Sequence, residues 1–69
     1  MKLSARNILP GTVVSVTKGA TTAHVRIQLA DGVVVTAAIT NEAVEELDLK
    51  AGMQASAVVK ASDVMVGID

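Results

Sequence analysis

Residues 22–30, TAHVRIQLA, alternate without a break: Ala23, Val25, Ile27 and Leu29 fall on one side, His24, Arg26 and Gln28 on the other. A two-residue period is that of a strand with one face buried. Asp31-Gly32 follows, a dipeptide suited to a tight hairpin, and the β-branched run of residues 33–40 resumes at once. A hairpin of this strength ties the chain to an antiparallel sheet. Upstream, residues 12–18 (TVVSVTK) read as another strand, bounded by Pro10-Gly11 and Gly19, with Pro10-Gly11 expected as the bend that sets the first ten residues apart from it.

The pattern changes at Asn41. NEAVEELDL contains helix formers, with Val44 and Leu47 three residues apart on one face. Thr40 or Asn41 can cap its start, and Glu42 suits the positive end of the helix dipole. Ala51-Gly52 ends this segment, and strands are expected over residues 53–60 and 63–68, separated by Ala61-Ser62. The predicted order is β-β-β-α-β-β. It describes an all-β domain with one short helix, a five-stranded, partly open barrel of the OB type, spanning residues 1–69 as one unit.

Stability points outward from the single chain. Of the 69 residues, 51% are hydrophobic, yet none is aromatic, and Val and Ala bury little area each. With no cysteine there are no disulfides or thiolate metal sites, and one histidine cannot build a zinc site. Self-association is the remedy left. Consistent with that, Val33, Val35 and Ile39 oppose Val34 and Ala38 in the third strand, and Val64, Val66 and Ile68 oppose Met65 in the last. Strands apolar on both faces imply a covered outer face. No apolar run approaches a membrane span and no signal-peptide pattern opens the chain, so a cytoplasmic protein without a membrane partner is expected.

The residues offer little for catalysis. His24 reads as a surface residue on an exposed strand face, and Glu42, Glu45, Glu46 and Asp48 read as a solvated helix face. No Gly-rich phosphate loop or metal-ligand spacing is present, so no enzyme and no cofactor are expected. An OB-type module binding single-stranded nucleic acid is one alternative. It lacks the aromatic platforms on which bases stack, and its six basic residues are scattered, so no nucleic-acid partner is expected. A purely structural oligomerisation module is the other. What stands out is a set of hydrogen-bond donors: Ser4 and Arg6 near the start, Thr40 at the helix start, and Lys60 and Ser62 between the last two strands. A site made of donors suits an anion without a proton, such as molybdate, tungstate or sulfate.

LSARN near the start, ITNEAVEELDLKAG and AVVKASDVMVGI together resemble the molbindins, the Mop-type molybdate-binding family, over about residues 2–68. The resemblance implies a cytoplasmic homohexamer, a trimer of dimers, holding molybdate or tungstate between subunits as ligand rather than cofactor. It implies contacts from Ser4, the Ala5 backbone, Arg6, Lys60, Ala61 and Ser62, with Thr40 as the helix-start hydroxyl. Some relatives carry Ser where this chain has Ala43, so one hydroxyl is missing and is either lost or replaced by backbone. The family also has sites on three-fold axes, for which Thr21 and Thr22 are the candidates here.

Overall fold

The computed structural model describes residues 1–69. Its elements are β1 (Asn7–Lys18), β2 (Thr22–Leu29), β3 (Val34–Thr40), α1 (Asn41–Leu47) and β4 (Gln54–Val59), followed by one 3-10 turn at Ala61–Asp63. The strands form a single antiparallel sheet in the order β3-β2-β1-β4. Four strands are present, not the five expected. Residues 64–69 lie outside any strand. A 3-10 turn, flanked by extended backbone at Lys60 and Val64, follows β4, and no residue beyond it pairs with the sheet. Both outer edges, on β3 and β4, are therefore unpaired within the chain.

β1 also departs from expectation, because it runs straight through Pro10-Gly11. Val13 bonds toward β4, its N–H donating to the Met53 carbonyl at 2.9 Å and its carbonyl accepting from Gly52 N–H at 2.7 Å. Backbone direction alternates along a strand, so Pro10 faces the other side. There β2 has already ended, since its pairing with β1 begins at Gly11↔Leu29. The missing N–H of Pro10 costs no ladder bond. Gly11 pairs with both Leu29 and Ala55. A Cβ there would sit 2.5 Å from the Gln28 carbonyl oxygen and 2.8 Å from Ile27 Cγ2. Close approach of two strands, not a turn, demands this glycine. A bulge at Val14, between Val13 and Ser15, bends β1 as it passes from one partner to the other.

The β2 alternation is realised as read: Ala23, Val25 and Ile27 are buried together with Val13, Val44 and Ala57. Leu29, Val35 and Ile39 pack against them, whereas Val33 lies in the hairpin loop and is exposed. In that loop Gly32 takes φ 88°, and Leu29 N–H donates to the Val33 carbonyl at 2.8 Å. This is a three-residue hairpin loop with glycine at its left-handed position.

Thr40 caps α1, its Oγ1 accepting from Ala43 N–H at 3.0 Å. The helix stops at Leu47, earlier than Ala51-Gly52, because Asp48 adopts the left-handed region at φ 51°. Asp48 N–H donates to the Glu45 carbonyl and Leu49 N–H to the Val44 carbonyl, both at 3.1 Å. This paired termination brings Leu49 back onto Val44. Leu49 thus packs on the core, while Leu47, expected to share the face of Val44, is 61% exposed.

Candidate functional site

The β1–β4 ladder decides what meets at the end of the sheet. Its last pair is Asn7↔Val59, and the Asn7 side-chain Nδ2 donates to the Val59 carbonyl at 3.2 Å. One residue beyond that pair stand Arg6, before β1, and Lys60, after β4. Two segments more than fifty residues apart in sequence are thereby brought together. Ser4, Ala5, Arg6, Val58, Lys60, Ala61, Ser62 and Asp63 line one open cavity of about 630 Å³. All six residues expected from the two end segments are among them.

The turn that follows Lys60 is held by Asp63 N–H donating to the Lys60 carbonyl at 2.9 Å and Val64 N–H donating to the Ala61 carbonyl at 3.3 Å. The N–H groups of Ala5, Arg6, Ala61 and Ser62 take part in none of the backbone bonds outside the regular elements. They are free to donate elsewhere. Neither Arg6 nor Lys60 is paired with an acid: the ion pairs in the molecule are Lys18–Glu45 at 3.2 Å and Lys50–Asp48 at 3.4 Å, both exposed. The cavity therefore combines two uncommitted cations, two hydroxyls and unpaired backbone donors. Val58 and Asp63 complete its wall, and Asp63 is the residue that a search for donors alone passes over.

Thr40 is elsewhere. It pairs with Thr22 across β2 and β3, at the far end of the sheet, and the Thr21 backbone carbonyl accepts from Asn41 N–H beside it at 2.9 Å. The length of β1, twelve residues, separates the two ends. Within one chain Thr40, Thr21 and Thr22 lie together at that end of the sheet, and none of them lines the cavity. The Ala43 N–H is engaged by the Thr40 cap, so it does not replace a missing hydroxyl with a free backbone donor. His24 lies exposed on the outer face of β2, opposite Thr17 and Ala38. No helix is long and apolar enough to cross a membrane.

A second cavity, of about 250 Å³, lies where β1 passes between its partners. Gln28 and Gln54 flank Thr12 there, each in register with it. No charged residue lines it.

Fold and donor set together define a small β-domain suited to holding a compact anion. Residues 3–66 match the TOBE domain family. The chain is 45% identical to a probable molybdenum-pterin-binding protein of Haemophilus influenzae, over the full length of both. It is 47% identical to molybdenum-pterin-binding protein 2 of Clostridium pasteurianum, over 96% of this chain and 97% of that one. Among solved structures it is similar to MopII from Clostridium pasteurianum in an apo form, with a TM-score of 0.92 and 45% identity over 97% of this chain and all of the other. It also resembles the cytoplasmic molybdate-binding protein ModG with molybdate bound, with a TM-score of 0.95 and 51% identity. That match covers all of this chain and 49% of ModG. The chain belongs to the TOBE domain family, in its Mop-type or molbindin branch.

Proposed function

We propose that this protein binds molybdate or tungstate reversibly in the cytoplasm, as a store from which the oxyanion leaves unchanged. One observation carries the reading: the β1–β4 register gathers Ser4, Ala5, Arg6, Lys60, Ala61 and Ser62 around one cavity in which neither cation is paired with an acid. Arg6 and Lys60 supply charge-assisted hydrogen bonds, and the hydroxyls and free N–H groups supply the rest. The names of the relatives and the molybdate in ModG agree with this ligand.

The site works between copies of the chain, in a homohexamer built as a trimer of dimers. Three observations support self-association. Twelve large hydrophobic residues are exposed against six buried residues in all. Val64, Met65, Val66 and Ile68 lie outside any strand, more than half exposed each, and the sheet has two open edges. A second copy that seats this segment as its missing strand covers both. Finally, Thr40 joins the oxyanion only if it comes from another copy, since its own cavity lies at the opposite end of β1. The number six follows from resemblance to free-standing molbindins, as do sites at Thr21 and Thr22 on the three-fold axes.

Titration calorimetry with sodium molybdate, sodium tungstate and a single-stranded oligonucleotide tests the reading. Saturable heat with both oxyanions and none with the oligonucleotide is expected. Silence with both oxyanions overturns it, and heat with the oligonucleotide alone would assign the domain to nucleic acid.

A further inference from the structure

Asp63 is the one acid in the wall of the Arg6–Lys60 cavity. Its carboxylate makes no hydrogen bond and no ion pair within the chain, and the turn it sits in is held by its backbone N–H. The side chain is exposed and does no work for the fold. A charged carboxylate on a residue of the cavity wall, unpaired within the chain, raises the cost of holding any anion that enters.

We infer that Asp63 sets the strength and selectivity of this cavity by repulsion, weakening its hold on any oxyanion whose oxygens are all unprotonated. The inference rests on the oxyanion reading and adds a residue that opposes binding to those that favour it. Arg6 and Lys60 bring two positive charges and Asp63 one negative, so a bound dianion leaves the cavity one charge short of neutral. An ionised carboxylate is only an acceptor, and molybdate is only an acceptor, so the two cannot share a hydrogen bond. Hydrogen phosphate differs, because its one O–H can donate to the carboxylate. Asp63 therefore costs molybdate more than it costs hydrogen phosphate. It keeps the store releasable, at the expense of some discrimination between the two.

Asp63→Asn preserves shape, removes the charge and adds an N–H₂ donor. Glu46→Gln is the control: Glu46 is exposed on α1, outside the cavity and outside both ion pairs, and its loss changes the net charge equally. Calorimetry with molybdate, and separately with inorganic phosphate near neutral pH and at low salt, reads both variants, with far-UV circular dichroism verifying the fold. Asp63→Asn is expected to tighten molybdate by about tenfold and phosphate by clearly less, with Glu46→Gln unchanged. Unchanged or weaker molybdate binding in Asp63→Asn overturns the inference. So does equal tightening in both variants, which would trace the effect to net charge. If neither wild type nor Asp63→Asn takes up molybdate, the oxyanion reading fails and this inference with it.

Discussion

Asn7 and Val59 close the β1–β4 ladder, the Asn7 side-chain amide donating to the Val59 carbonyl at 3.2 Å. One residue further on, each strand delivers a cation. The placement of Arg6 against Lys60 is thus a matter of strand register, set by backbone pairing and not by any bond between the two side chains.

Arg6→Ala leaves Lys60 as the single cation facing a dianion. Loss of charge-assisted hydrogen bonds at such a position costs about 2–3 kcal/mol, so molybdate affinity should fall by roughly thirtyfold or more. Calorimetry measures it, and Lys60→Ala should behave alike. Wild-type affinity in Arg6→Ala would remove that residue from the site.

Gly11→Ala should destabilise the fold without touching the cavity. The added methyl overlaps a backbone carbonyl of β2, which cannot move aside as a flexible side-chain end can. Overpacking of this kind costs about 1–3 kcal/mol. Thermal unfolding should show a midpoint lower by several degrees, and an unchanged midpoint would contradict the close approach of β1 and β2.

Thr40→Ala removes the cap of α1 and should cost about 1 kcal/mol. Thr40→Ser keeps the oxygen that accepts from Ala43 N–H, and should restore most of that stability. Denaturant titration of both variants separates the cap from a ligand role. An oxyanion affinity reduced in the alanine variant and restored in the serine variant would place the same hydroxyl in the site of a neighbouring copy.

Val66→Lys with Ile68→Lys puts charge on the unpaired terminal segment. Multi-angle light scattering of the wild type should give a mass near six times the 7.0 kDa of one chain, and a much smaller assembly for the variant. A wild-type mass of one chain would contradict self-association.

Much of this molecule is legible from local patterns. The alternation from Ala23 to Leu29 marks the core face of β2, Asp31-Gly32 marks its hairpin, and Thr40 marks the helix start, because each depends on residues within a few positions. Pro10-Gly11 misleads because a turn-like dipeptide is read locally, whereas its role depends on where β2 ends and how closely its backbone approaches. Leu47 misleads because the helix stops on Asp48, a left-handed position without the glycine that usually announces one. The fifth strand has the right composition and no partner in its own chain. Of the candidate site, the SAR and KAS segments can be read from the sequence, and the structure brings them to one cavity. Asp63 is missed because it accepts and does not donate, and the distance to Thr40 is a property of topology that no motif states.

The bulge at Val14 carries a consequence for the whole sheet. β1 alone joins the β2–β3 hairpin to β4, so its local bend determines how far apart the two open edges stand. One extra residue in the middle of β1 therefore acts as the gauge of the gap between those edges. Deleting Val14 would reset the width of that gap, and with it the strand the gap can admit, while leaving every residue of the Arg6–Lys60 cavity in the chain.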